Sequence, residues 1–265
     1  MSLLLDVRNL SVLFGGVLAL NKLSLKIAAG EIIGLIGPNG AGKTTAFNVV
    51  TGRIKGSSGS IFFCGRDITG WSPSKIARNG IARTFQSIKL YEDLSVIENV
   101  MIAAHSSISY SFLEAILGLG RFSRDESRIR YRAFELLELM NLQELAAERA
   151  SSLPYGSQRK LEIARALALG PKLLLLDEPV AGMNPTETRE FGDFILRLRD
   201  NLSIGIGLID HDMSFVMEVC DRIRVIDHGV PIAWGVPTQV RNDKDVIAAY
   251  LGVGFGTATG GHAAN

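Results

Sequence analysis

Residues 37–44 read Gly-Pro-Asn-Gly-Ala-Gly-Lys-Thr, which satisfies the spacing Gly-x4-Gly-Lys-(Ser/Thr). Chemistry explains the residue types. Glycines let the backbone curl until successive N–H groups converge on phosphate oxygens. The helix that follows adds the partial positive charge of its N-terminus. In such a P-loop Lys43 reaches the β- and γ-phosphates and the Thr44 hydroxyl coordinates Mg²⁺. A short apolar run, "GEIIGLIG" (30–37), precedes the loop, and a helical pattern starts at Lys43. A chance Gly-rich turn would lack one or both flanks.

A nucleotide held this way calls for acidic groups at the end of another buried strand, and "LLLLDEP" (173–179) supplies two. Asp177 suits Mg²⁺ bound through water, because Mg²⁺ keeps part of its hydration shell. Successive residues at a strand end point in different directions, so Glu178 is free for a second task, polarising the water that attacks a phosphate. Asp-Glu before Pro179 also fits a helix cap. His211 closes a third apolar run, "SIGIGLIDHD" (203–212), at the kind of strand end where ligands bind in open α/β sheets. It could bond the γ-phosphate and the attacking water, or be structural. Gln86, in "ARTFQSIKL", carries no signal alone, and "LPYGSQRKLEIARAL" (153–167) alone is only a helix start with small and amide residues before it.

The elements that must position these groups follow from periodicity. Leu3, Leu5 and Val7, then Val12 and Phe14, then Leu23, Leu25 and Ile27 alternate along the chain and predict short antiparallel strands. "GEIIGLIG", "KLLLLDEP" and "SIGIGLIDHD" are almost continuously apolar, as expected of strands covered on both faces. "GSIFFCGRDI" (59–68) predicts a strand, a Gly turn and a resumed strand, and "RIRVIDHG" and "VPIAWG" predict two more. From Ile97 to Leu142 the pattern is helical, with Ala133, Leu136, Leu137 and Met140 at i, i+3, i+4 and i+7. Residues 105–128 are less regular and predict a loop. Gly170-Pro171 ends one helix. Asn184-Pro185 caps the next, whose Phe191, Ile195 and Leu198 share a face.

Buried strands alternating with helices imply an α/β fold, a P-loop NTPase core with a mainly parallel sheet. To it are added an N-terminal antiparallel β subdomain and an α-helical subdomain (about 87–165) inserted in the core. Residues 1–252 form a single domain on this reading, and the Gly/Ala-rich residues 253–265 are expected to be a disordered tail.

The 265 residues are 47% hydrophobic and 21% charged, enough for a sizeable core, and the net charge of +1 does not suggest a nucleic-acid partner. Cys64 and Cys220 are far apart, lack metal-ligand spacing and read as reduced thiols. No apolar run approaches the roughly 18 residues needed to cross a bilayer. The N-terminus lacks the basic start of a signal peptide. A link to a membrane is therefore expected to run through a partner.

Taken in order, the P-loop, "RTFQ", "LPYGSQRKLEIARAL", "LLLLDEP", "AGMNP" and "LIDHDM" resemble the nucleotide-binding subunit of an ATP-binding cassette (ABC) transporter over roughly residues 3–252. The resemblance implies an ATPase with ATP and Mg²⁺ as cofactors. Phe14 would stack on adenine, and Gly37, Pro38, Asn39, Gly40, Ala41, Gly42, Lys43, Thr44 and Thr45 would form the Walker A loop. Gln86 would reach Mg²⁺ or water, Asp177 and Glu178 would be the Walker B pair with its catalytic glutamate, and His211 the switch histidine. The signature motif, usually Leu-Ser-Gly-Gly-Gln, reads Pro154, Tyr155, Gly156, Ser157, Gln158. It would cap the γ-phosphate of ATP held by an opposing subunit, with Tyr155 where Ser is usual. Asn184 stands where the D-loop usually has Asp. These departures, with the ending "DVIAAYLG", resemble the larger ATPase subunit of branched-chain amino acid importers; urea importers and lipopolysaccharide exporters are the alternatives. A soluble nucleic-acid- or ribosome-associated ABC ATPase is disfavoured by the single P-loop and the absence of a long heptad run. The implied partners are two membrane-spanning permease subunits, a second ATPase subunit (a paralogue, or an identical chain in isolation) and, indirectly, a periplasmic or extracellular substrate-binding protein. The implied location is the cytoplasmic face of the inner membrane.

Overall fold

The computed structural model describes residues 2–105 and 121–255. The chain opens with a long hairpin of β1 (Leu3–Phe14) and β2 (Val17–Ala28), which turns at Gly15 and Gly16, both at positive φ. β4 (Ser58–Phe63) and β5 (Arg66–Asp67) extend it into a four-stranded antiparallel sheet, ordered β2-β1-β4-β5. The strands are longer than the broken alternation predicts. Register shifts along β1, with Asn9 at φ 48°, reset the phase, and Leu4, Leu5, Val7, Leu10 and Val12 are all buried.

The second sheet contains β3 (Ile32–Ile36), β6 (Ile81–Arg83), β7 (Leu173–Asp177), β8 (Gly205–Ile209), β9 (Arg222–Asp227) and β10 (Val230–Gly235), ordered β10-β9-β3-β8-β7-β6. All its neighbours are parallel except β10 with β9. Every residue of β3, β7 and β8 is buried. Their side chains alternate between two apolar cores. Ile32, Ile36, Leu174, Leu176, Ile206 and Leu208 join the helices on one face, whereas Ile33, Leu35, Leu173, Leu175 and Ile209 face the antiparallel sheet and α1 (Lys43–Val50). This double burial is why the runs carry no polar alternation.

Among the described residues, three α-helices lie between β6 and β7: α3 (Val96–His105), α4 (Arg121–Leu139) and α5 (Tyr155–Leu167). Ala133, Leu136, Leu137 and Met140 are all buried there, as their spacing predicts. The expected loop at 105–128 lies partly outside the described residues; its end, from Arg121, is helical. α2 (Pro73–Arg78) and β6 were not anticipated, being too short to show a period. Beyond β7 come α6 (Pro185–Leu202), α7 (Met213–Val219), α8 (Pro237–Arg241) and α9 (Lys244–Phe255). α9 runs past the expected boundary at 252, and the rest of the anticipated tail lies outside the described residues. Asn184 forms the predicted cap of α6, its side chain accepting from the N–H groups of Thr186 and Glu187 at 3.0 Å each. Both cysteines are free, Cys220 buried with its thiol pKa pushed up by desolvation and Cys64 exposed.

The parallel strands all end on one edge of the sheet. There β3 leads into residues 37–42, β6 into Thr84–Gln86, β7 into Glu178 and β8 into Asp210 and His211.

Candidate functional site

The phosphate-loop segment is shaped by backbone. A Cβ on Gly37 would lie 2.0 Å from the Ile226 carbonyl oxygen, and one on Gly42, at φ 101°, 2.5 Å from the Ala19 carbonyl oxygen. β9 and β2 thus press the loop from two sides, and only glycine admits both contacts. The Gly229 N–H donates to the Ala41 carbonyl at 3.0 Å, tying the loop to the β9–β10 turn. Asn39 and Gly40 are exposed at the tip, Pro38 is half-buried, and Thr44 and Thr45 open α1. Lys43 is 8% exposed, and its Nζ donates to the carbonyls of Gly37 (2.6 Å) and Pro38 (2.9 Å). Burial lowers its pKa, partly offset by Glu178 and Asp177. Phe14 is half exposed at the hairpin tip with Leu13, Val17 and Leu18, and the same hairpin touches the loop through Ala19 and Leu20.

The acidic residues are held by side chains from distant parts of the chain. Asp177 accepts from Arg83 Nη2 at 2.6 Å through Oδ2, and both side chains are nearly buried. Glu178, the next residue, sits at φ 49°, a left-handed conformation that costs a non-glycine residue about 1–2 kcal/mol. Its N–H donates to the Ile209 carbonyl at 2.7 Å, which anchors the turn to β8. The turn separates the two acids. Glu178 Oε2 accepts from Gln86 Nε2 at 2.8 Å and lies 3.9 Å from His211 Nδ1. Glu178, Gln86 and His211 therefore meet at one point, and Lys43 senses Glu178 and Asp177 electrostatically.

Behind them Asp210, 1% exposed, accepts from the N–H groups of His211 (2.8 Å), Asp212 (2.9 Å) and Val180 (3.4 Å). Burial is the main reason its pKa is raised. It fixes the backbone that presents His211, whose own side chain is exposed. The Thr44 hydroxyl, the Asp177 carboxylate and the Gln86 amide are hard oxygen donors of the kind Mg²⁺ takes alongside retained water. Arg83 occupies only Oδ2 of Asp177, and Oδ1 has no hydrogen-bond partner among the described residues. The donor set fits the metal.

Tyr155 begins α5 behind Pro154, which makes no side-chain cap, so the helix's first N–H groups have no side-chain acceptor. A Cβ on Gly156 would meet nothing within 4 Å. Gln158 Nε2 turns back to the Leu153 carbonyl at 2.9 Å, and Ser157 lies one residue before it. The Tyr155 ring lies beside Gly182 and under the Arg159 guanidinium, 5.6 Å from the ring centroid. Among the described residues, Tyr155, Gly156, Ser157 and Gln158 make no hydrogen bond or ion pair with residues 37–45 or with Asp177, Glu178 or His211.

The same helix grips the segment that carries Gln86. Arg159, 2% exposed, donates to the carbonyls of Phe85 (2.7 Å) and Gln86 and pairs with Glu162 at 3.0 Å. Glu162 also accepts from the Phe85 N–H at 3.2 Å, and burial raises its pKa. Arg165 donates to the Lys89 carbonyl. Arg83, Arg159, Glu162 and Asp210 are functional-site neighbours that motif reading passes over. For Arg159 and Glu162 a signal existed, because with Ile163 and Ala166 they sit at i, i+3, i+4 and i+7 of the buried face of α5. Charged residues at apolar positions of a helix imply a buried polar network.

Comparison with known proteins follows the same lines. The family described as "ABC transporter" matches residues 20–181, and one described as "Branched-chain amino acid ATP-binding cassette transporter" matches residues 231–256. The chain is 46% identical over 249 residues to a high-affinity branched-chain amino acid transport ATP-binding protein, LivG, of Salmonella typhimurium, covering 94% of this chain and 98% of that one. It is 35% identical over 252 residues to a lipopolysaccharide export system ATP-binding protein, LptB, of Haemophilus influenzae, covering 95% and 98%. Among solved structures, the ADP conformation of an ATP-binding cassette of an ABC transporter superposes with a TM-score of 0.83 at 30% identity, covering 95% of this chain and all of that one. No helix among the described residues is long and apolar enough to cross a membrane.

Proposed function

This chain belongs to the ABC transporter family, and from that premise we propose that it is the ATP-hydrolysing subunit that drives import of branched-chain or related hydrophobic amino acids. The observation that carries the chemistry is the 2.8 Å bond from Gln86 to Glu178, made beside the P-loop lysine. On this reading the bond orients the carboxylate oxygen that engages the water attacking the γ-phosphate. The 46% identity along almost the whole chain to an amino-acid transport subunit, against 35% to a lipopolysaccharide export subunit, favours import.

On this reading Lys43 exchanges the carbonyls of Gly37 and Pro38 for phosphate oxygens, and Gly37 to Thr45 cradle the phosphates while Phe14 stacks on the adenine. Thr44, Asp177 and Gln86 would hold Mg²⁺, which would supply positive charge against the phosphates. Water attacks the γ-phosphorus in line, its proton passes to Glu178, and the bond to the ADP oxygen breaks. His211 hydrogen-bonds the γ-phosphate and the water. Protein groups position and neutralise; none is covalently modified.

The solvent-open N-terminus of α5 is a half-site. Tyr155, Gly156, Ser157 and Gln158 complete the ATP pocket of a second ATPase subunit, a paralogue in the transporter and an identical chain in isolation. ATP bound by both subunits favours the closed dimer, and hydrolysis removes that preference. The dimer sits on two permease subunits at the cytoplasmic face of the inner membrane, with a substrate-binding protein on the far side and no nucleic acid involved. Residues 1–252 act as one domain, with the helical subdomain at about 87–165.

The test of the chemistry is Glu178→Gln, which retains ATP binding and hydrolyses ATP at least ~10²-fold more slowly, the usual loss on removing a general base. Near-normal turnover sinks the role given to Glu178. For the substrate, the chain is reconstituted with its permease and binding protein in liposomes. Leucine, isoleucine or valine raises ATP turnover; stimulation by urea alone refutes the amino-acid assignment.

A further inference from the structure

Arg83 has no task in the hydrolysis just described, yet it is among the least exposed charged groups at the site. We propose that Arg83 is a positioning residue that serves as a resident cation for Asp177, compensating the metal-binding carboxylate whenever the metal is absent. The inference rests on the ATPase reading and extends it to how the site binds nucleotide before and without Mg²⁺.

Arg83 ends β6 in register with Leu175 of β7, so its side chain leaves the sheet edge beside Asp177. The guanidinium spans two elements, donating to Asp177 Oδ2 on β7 at 2.6 Å and to Asn48 Oδ1 on α1 at 2.8 Å. Phe47 and Phe85 flank it, each ring centroid 5.6 Å from its carbon centre. Its Nε is buried and unpaired, and beyond those two short bonds Nη1 makes a long one to Thr51 Oγ1, at 3.5 Å. Asp177 is its only ion-pair partner among the described residues.

The charge count makes the role necessary. Two carboxylates, Asp177 and Glu178, face the phosphate loop, and Lys43 is the loop's own cation. A carboxylate as buried as Asp177 is strongly disfavoured without a counter-charge. Lys43 would be the nearest candidate, and if drawn to Asp177 it would be lost to the phosphates. Instead Lys43 bonds the carbonyls of Gly37 and Pro38 and forms no ion pair among the described residues. Arg83 thus keeps the two charged halves of the site apart. Because it engages only Oδ2, Oδ1 remains for a hydrated metal. The rigid fork of arginine suits this double anchorage, while a lysine would preserve the charge alone.

Consequently metal-free ATP meets a compensated Asp177. In Arg83→Gln it meets a bare carboxylate and is repelled, whereas Mg·ATP brings its own cation to the same group. The experiment is calorimetric binding of the non-hydrolysable analogue AMP-PNP, with EDTA and with excess Mg²⁺, to wild type, Arg83→Gln, Arg83→Lys and the charge-free pair Arg83→Gln/Asp177→Asn. The ratio of the metal-free to the metal-bound Kd rises at least ~10-fold in Arg83→Gln, as expected for one uncompensated charge near the phosphates, and stays near the wild-type value in Arg83→Lys. Should Arg83→Gln not fold, the charge-free pair decides: it binds metal-free AMP-PNP at least as tightly as wild type. An unchanged ratio in folded Arg83→Gln overturns the proposal. So does weaker metal-free binding by the charge-free pair, because Arg83 would then be touching phosphate itself. Failure of wild type to bind AMP-PNP with Mg²⁺ would instead strike the ATPase reading.

Discussion

The two ends of the proposed nucleotide site are built from opposite materials. At the phosphate loop, backbone does the positioning: Lys43 donates to carbonyls only five and six positions away, and Gly42 and Gly37 are fitted against the main-chain carbonyls of Ala19 and Ile226. At the acidic end, side chains do it across great sequence distances. Arg83 and Asp177 are 94 positions apart, Gln86 and Glu178 are 92 apart, and Arg159 reaches Gln86 from 73 away. A backbone site should resist loss of side chains and fail when side chains are added. A side-chain network should do the reverse.

Four measurements sharpen or break that contrast. The largest effect is expected at the acidic end. Arg159→Met leaves Glu162 and two carbonyls without their buried partner, and thermal or urea denaturation should show a loss of about 3–5 kcal/mol, while Arg159→Met/Glu162→Met recovers much of it. A single variant as stable as wild type would show that this network does not hold the Gln86 segment.

Next comes the phosphate loop, tested by adding atoms. Gly37→Ala drives a methyl into the Ile226 carbonyl, whereas Gly40→Ala, at φ 80°, meets open space. The second should cost only the left-handed conformation, about 1–2 kcal/mol, and the first distinctly more, with loss of nucleotide binding. Equal losses would mean that packing around the loop is soft.

The third effect depends on pH. Burial raises the pKa of Asp210, so the folded protein holds that proton more tightly than the unfolded chain does. Its stabilising contribution is complete below the ordinary carboxylate pKa and is lost as pH rises through the raised one. Asp210→Asn should remove that decline, seen as the difference between the two proteins in urea melts from pH 4 to pH 8. A difference that grows as pH falls would reverse the sign and reject burial as the cause. The smallest effect belongs to Asn39→Ala at the exposed loop tip, within about ±0.5 kcal/mol of wild type and with nucleotide affinity retained. A large loss there would give the loop a side-chain dependence the contrast denies it.

The same division explains what could be read without a structure. The loop at 37–45, the buried strands β3, β7 and β8, the acids that end β7 and the helix that starts at Lys43 were all legible, because each is a local pattern. Spacing sets how a Gly-rich backbone can turn, and a strand apolar on both faces can sit only inside a covered sheet. The cap at Asn184 was legible for the same reason. Gln86 was assigned only by resemblance, since a lone amide carries no pattern. β6 went unseen because three residues show no period, yet it delivers both Arg83 and Gln86 to the edge.

By itself, the sequence determined the α/β class, the phosphate loop and the pair of acids, all of which depend on neighbours along the chain. Only the tertiary structure decided which acid faces Gln86 and which faces Arg83, that Arg159 grips the carbonyls of Phe85 and Gln86, and that Asp210 anchors the backbone of His211. Those outcomes depend on which distant side chains desolvate one another, and a charge removed from water must find its partner wherever the fold places one.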